Sequence, residues 1–155
     1  ASNKFVNLRK FLGTMDGTNR SFADDFPVYR WADAMLILAE IKNKQGQDPS
    51  AEINAVRLRG YGANPAPVFT NGSFEQNEIA IFEERGKELT AEGTRWYDLR
   101  RMQSANGDPL AFRKDLPLVG VLDKATESHK LLWPIDKSTM ANDPTIVQNP
   151  GYPGT

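Results

Sequence analysis

The sequence contains no cysteine, which removes disulfides, CxxC redox chemistry, thiolate zinc sites and cysteine nucleophiles from consideration. The compartment stays open, because many secreted proteins also lack cysteine. Histidine is nearly as scarce: His129 stands alone, so a metal site needing two imidazoles cannot form. Asp123, Glu127 and Ser128 lie near it in sequence, but no GxSxG nucleophile elbow accompanies them, and His129 reads as a surface residue. Charge of one sign is lacking too. With 19 basic and 20 acidic residues among 155, the net charge of -1 creates no broad field toward nucleic acid or an anionic membrane. No apolar run nears the roughly 20 residues of a membrane-spanning helix; the longest, Trp31 to Ile41, is interrupted by Asp33 and Glu40. A GxGxxG loop, a Walker-type phosphate loop and an Asp-rich calcium loop are missing, so no cofactor or metal is expected. The first residues, Ala1 to Phe5, carry no leader pattern, which places any targeting signal outside this stretch.

What the chain does contain is helical patterning, over a length that suits a single domain spanning residues 1–155. Lys4 to Leu12 fits a short helix or a half-buried strand equally, and Gly13 to Ser21 reads as a polar loop. Asp25 and Pro27 mark a helix start, and Val28 to Gln45 carries apolar or small side chains around most of its circumference, which predicts burial on several sides. Gly46 closes that helix, and Asp48-Pro49 opens a shorter one with Ile53 and Val56 inside and Gly60 at its end. So short a connection makes the two helices an antiparallel hairpin. Gly60 to Gly72 reads as a long loop. Ser73 and Gln76 form a capping box that starts a third helix, with Ile79, Phe82, Gly86 and Leu89 on one face; the missing side chain of Gly86 would admit a neighbouring helix. Glu92-Gly93 ends or bends it. Trp96, Leu99 and Met102 mark a fourth helix, and from Pro109 onward the chain reads as ordered coil with one helical turn after Asp136. The fold class is therefore all-α: helical hairpins, long irregular loops and a coil tail.

The densest charge cluster runs from Glu83 to Arg101. Taken as chemistry, two of Glu84, Glu88 and Glu92 could serve as acid and base in glycoside hydrolysis, which needs carboxylates roughly 5 to 9 Å apart. The interspersed bases favour a structural reading. Arg85 with Glu88, Glu92 with Arg95 or Arg85, and Asp98 with Arg101 or Arg95 can pair along the helix or across the bend. Glu40, on the most apolar helix, needs a partner, for which Arg57 or Arg59 of the next helix is expected. Among the aromatics, Trp31, Phe82 and Trp96 lie at core spacing, whereas Tyr61 and Phe69 in the long loop are the candidates for ligand contact.

Several blocks recur in a recognisable order. Tyr29-Arg30-Trp31-Ala32-Asp33 leads to Ala39-Glu40, and Asn54-Ala55-Val56-Arg57 follows with Arg59. Glu84-Arg85, Glu88-Leu89, Glu92-Gly93, Arg95, Asp98-Leu99 and Arg101 come next, then Pro134-Ile135 and Gln148-Asn149-Pro150-Gly151-Tyr152. Their order and spacing resemble the C-terminal region of the SusD/RagB family, from about Phe26 to Tyr152. Gly60 and Asp136 depart from the family pattern, where alanine and proline are common. The resemblance implies a tetratricopeptide-like helix pair over Val28 to Leu58 and the last third of a Bacteroidetes surface lipoprotein. It also implies a non-catalytic, glycan-binding role in nutrient uptake beside a TonB-dependent outer-membrane transporter, with a lipid anchor outside this segment at the outer face. The segment itself would then be mainly scaffold, exposing an apolar face to the preceding part of its parent. Two other functions stay open: a carbohydrate-active enzyme using paired glutamates, and a helical scaffold for protein partners.

Overall fold

Two helices joined by a tight turn organise the rest of the chain. In the computed structural model, which describes residues 10–23, 25, 27–116 and 121–153, α1 spans Trp31–Lys44 and α2 spans Ser50–Tyr61. Gly46, at φ +70, turns the chain between them. Its N–H donates to the Asn43 carbonyl (3.0 Å) while the Gln47 N–H donates to that of Lys42 (2.8 Å), satisfying carbonyls that a helix end would otherwise orphan. Asp48 then accepts from the Ser50 N–H (2.8 Å) and starts α2. The antiparallel direction follows from the pairings: Lys42 meets Glu52, Ala39 shares a cluster with Ile53, and Ala32 and Leu36 share one with Val56.

Asp25 and Pro27 do not start α1. Val28 and Tyr29 are exposed, Arg30 is extended (φ -143, ψ 166), and the helix begins at Trp31, next to its first buried residue, Ala32. Short helical turns in water are marginal, so the start falls where packing begins and not where the proline permits it. At the other end α2 runs through Gly60 to Tyr61, which makes Tyr61 a helical residue and shortens the following loop. The 4–9 portion of the Lys4 to Leu12 pattern, and Phe26, lie outside the described residues.

Helix α3, Phe74–Glu88, opens on the capping box. Ser73 Oγ accepts from the Gln76 N–H (3.3 Å), and Gln76 Oε1 accepts from the Ser73 N–H (2.8 Å). It crosses α1 and buries Ile81 and Phe82, ending at Glu88 ahead of Glu92-Gly93. Left-handed residues at Ala91 and Gly93 re-aim the chain into α4, Arg95–Arg101. Leu99, Met102, Leu110 and Ala111 complete the main core with Ala39, Ile53, Ile81 and Phe82.

Two features depart from the expected loop and tail. Thr14–Asp16 (β1) and Asn19–Ser21 (β2) form an antiparallel hairpin around Gly17 (φ +58) where a polar loop was expected. Every residue of its strands is exposed, so no apolar alternation announced it, although Gly17-Thr18, with glycine first, suits a two-residue hairpin turn. In the tail, Asp136 caps α6 (Lys137–Asn142) as anticipated, and Asp123 caps a further short helix, α5 (Lys124–Glu127), that was not. Among the described residues the fold is otherwise helical, and no helix is long and apolar enough to cross a membrane.

Candidate functional site

The charged ladder binds helices to each other more than it runs along one. Arg85 is buried; its Nε donates to Asp98 Oδ1 at 2.7 Å on α4, and its Nη1 sits 2.8 Å from Asp33 Oδ1 on α1. Its expected partner Glu88 instead receives Arg30 and Arg59. Glu92 receives Arg30 at 2.9 Å and also Lys10, so its partner is neither Arg95 nor Arg85. Arg57 Nε donates to Glu84 Oε2 at 2.8 Å, joining α2 to α3. Glu40 is held by Arg101, with bonds of 2.7 to 3.2 Å from Nε and Nη2, and by Lys44 at 3.0 Å, not by Arg57 or Arg59. The Asp98 to Arg101 pair (3.2 Å) is formed at its helical spacing. Side chains facing a packed interface lose water and must find partners across it, which overrides pairing along the helix surface.

Arg95 follows a different rule. Within the described residues it makes no ion pair; its Nη1 donates to the Phe82 carbonyl at 2.7 Å and its guanidinium lies 3.3 Å from the Phe82 ring centre. Gly86 makes room for this, since a Cβ there would stand 3.0 Å from Arg95 Nη1. The glycine therefore admits a side chain of α4 where the approach of another helix was expected.

Burial alone would push the Glu40 and Glu92 carboxyls up, but the cations around them outweigh it and hold both below the ordinary glutamate range. Glu78, fully buried, forms no ion pair among the described residues. It accepts from Asn43 Nδ2 and the Gln103 N–H (3.0 Å each), and burial pushes it up. A two-carboxylate hydrolase needs one carboxyl kept protonated and another left free for its substrate. Glu84, Glu88 and Glu92 are each engaged by cations, so the paired-glutamate expectation loses the residues it rested on. No cluster of histidine and carboxylates suited to a metal occurs among the described residues.

The two aromatic candidates are separated by their surroundings. Phe69 is half-buried against the core, and Asn54 brackets its backbone, accepting from its N–H at 2.7 Å and donating to its carbonyl at 2.9 Å. Its ring also lies beneath Arg57, 5.8 Å away. Phe69 thus anchors the loop. Tyr61 is 43% exposed and lines a cleft of about 320 Å³ with Arg57, Asn64, Glu84 and Glu88.

A second surface, unmarked by the sequence reading, lies where α4 meets the tail. Trp133 is 70% exposed and stands edge-on to half-buried Trp96, 6.4 Å between ring centres. The closing residues fix this stretch: Gln148 both accepts from the Ile135 N–H (2.8 Å) and donates to its carbonyl (3.0 Å), and Asn149 Nδ2 donates to the Trp133 carbonyl (2.7 Å). The Tyr152 hydroxyl donates to Leu132 (2.8 Å) and its ring meets His129 edge-on, 5.0 Å between centres. Gly151, at φ +89, is required, since a Cβ would lie 2.5 Å from His129. The outward positions of α4, Tyr97 and Arg100, border the same region. Their three-residue spacing off the Trp96, Leu99 and Met102 stripe is the signal that could have found them. Trp31, expected in the core, is instead half exposed.

Comparisons with known proteins agree with one another. The profile of the SusD family matches residues 1–152. Among curated proteins, SusD-like protein P38 of Formosa agariphila is 30% identical over 133 residues, covering 81% of this chain and 24% of its own length. SusD-like protein P2 of the same organism is 28% identical over 104 residues, 63% of this chain and 21% of that protein. Among solved structures, a SusD superfamily protein from Bacteroides fragilis is 39% identical with a TM-score of 0.85, covering 94% of this chain and 32% of that one. NanU of B. fragilis is 36% identical with a TM-score of 0.67, covering 93% and 31%. The chain thus spans about a quarter or less of the curated relatives' length and about a third of the solved chains.

Proposed function

This chain belongs to the SusD family, and we propose that it is the C-terminal part of a non-catalytic, glycan-binding component of an outer-membrane nutrient-uptake complex. In this reading the parent protein sits at the outer face of the outer membrane through a lipid anchor outside this segment. It hands its ligand to a TonB-dependent transporter. The family match carries the proposal; the engagement of Glu84, Glu88 and Glu92 by cations supports its non-catalytic part. The segment is mainly scaffold, its ion pairs joining α1, α2, α3 and α4, and Tyr61 is the loop-side candidate for ligand contact.

The preceding part of the parent is the partner we assign to the outer face of the helix hairpin. Trp31, Leu38 and Ile41 are 50%, 41% and 45% exposed and fall with Ala34 on one stripe of α1, opposite its buried face. Leu58 of α2, 68% exposed, adds to the apolar outer surface of the pair. An apolar stripe on the outside of an already packed helix calls for a further layer. A cleft beside Tyr61 favours glycan capture over a purely protein-binding scaffold.

Glycan-array binding by the full-length protein and by this segment alone tests the proposal. Binding by the full-length protein with little or none by the segment is the expected result. Equal binding by the two would overturn the scaffold role, and no glycan bound by either would overturn the glycan role.

A further inference from the structure

We infer that the surface between α4 and the tail is a subsite for an acidic saccharide, with Arg100 binding its carboxylate or sulfate and Trp133 stacking on its ring. The inference rests on the glycan-binding role proposed above and deepens it. Two clefts adjoin at Leu132. One, of about 560 Å³, is lined by Tyr97, Arg100, Arg101, Ser128 and leucines. The other, of about 500 Å³, is almost wholly apolar and holds Trp96, Trp133 and Tyr152. Both fall within the roughly 300 to 1,000 Å³ of small-molecule sites, which combine apolar and aromatic walls with a few orienting polar groups.

Arg100 distinguishes this surface. Every other described arginine is committed: to a carboxylate, to the Leu12 carbonyl in the case of Arg20, or to the Phe82 ring and carbonyl in the case of Arg95. Arg100 is half-buried and has no such partner among the described residues. The hydroxyls of Tyr97 and Ser128 in the same cleft are likewise without a protein hydrogen bond there. A half-buried arginine with no ion pair among the described residues suits an incoming anion, which its planar fork binds in two-point fashion. Sugar hydroxyls suit the two free hydroxyls, and the broad, amphipathic Trp133 ring offers a face to a pyranose. The clamp of Gln148, Asn149 and Tyr152 on residues 132–135 fixes that ring's backbone in advance, so little ordering remains for the ligand to impose.

Calorimetric titration of the full-length protein with an oligogalacturonate, a sulfated oligosaccharide and a neutral oligosaccharide of matched length tests this. The wild type is expected to bind at least one acidic ligand tenfold or more tightly than the neutral one, and the arm that binds names the anion. Arg100→Ala should weaken that binding at least tenfold with unchanged Tm, and Trp133→Ala should weaken it also, while Lys137→Ala, on exposed α6, leaves it unaltered. Unchanged acidic affinity in Arg100→Ala overturns the inference. Preference of the wild type for the neutral ligand also overturns it, yet leaves glycan capture standing. Binding of none of the three overturns the inference, and the glycan array then decides separately whether glycan capture falls with it.

Discussion

Glu40 of α1 and Glu78 of α3 are both buried, yet among the described residues only Glu40 forms ion pairs, and the two carboxyls respond to pH in opposite senses. Glu40, held low, contributes stability that is present above the ordinary carboxylate pKa and is lost as pH falls through its folded value. Glu78, raised, contributes stability that is complete below the ordinary value, about 4.3, and lost as pH rises through its folded one. Replacing Glu78 by Gln removes the charge but not the bulk. Denaturant titrations from acid to neutral pH should therefore show the stability of Glu78→Gln gaining on the wild type as pH rises above that ordinary value. A difference that stays constant with pH would refute the assignment. None of this was legible in sequence. Glu40 was marked as needing a partner, but Arg101 lies 61 residues away, on a helix whose placement depends on the turn at Ala91 and Gly93.

At the scale of elements, local chemistry was readable wherever a few neighbouring residues decide the outcome. The Ser73 and Gln76 capping box, the Gly46 stop and the Asp136 cap all operate within a few residues of chain. The start of α1 and the extension of α2 to Tyr61 were not readable, because packing and not propensity sets them. The loop from Gly62 to Ser73 is tied to α2 by the pair of hydrogen bonds between Asn54 and the Phe69 backbone and by Arg57 donating to the Pro67 carbonyl (3.1 Å). Asn54→Ala should release it: hydrogen exchange at the Phe69 amide accelerates by tenfold or more, and stability drops by about 1 to 3 kcal/mol through the unsatisfied backbone groups. Exchange as slow as in the wild type would show that the ring's own packing holds the loop.

For the whole molecule, the helical class and the family resemblance were legible because both are written in the order of elements and blocks along the chain. Which face of each element meets solvent was not, and Trp31 shows why: α1 is apolar around most of its circumference, so its pattern alone cannot say which side is outermost. If the preceding part of the parent covers the outer stripe, Leu38→Lys in the full-length protein should cost about 2 kcal/mol or more in denaturant unfolding, as for a buried leucine. An exposed leucine would change stability by no more than about 0.5 kcal/mol.

The central claim is that the ion-paired residues of the ladder hold helices together and take no part in catalysis. Arg85 tests it most directly, since its removal strands Asp33 in the interior and leaves Asp98 only Arg101, while the clefts beside Tyr61 and Trp133 contain no part of it. Unfolding free energy and glycan affinity of Arg85→Met are to be measured together in the full-length protein, below the variant's melting temperature. The account predicts a loss of about 3 to 5 kcal/mol in stability with affinity unchanged. Lost affinity with stability intact would contradict it.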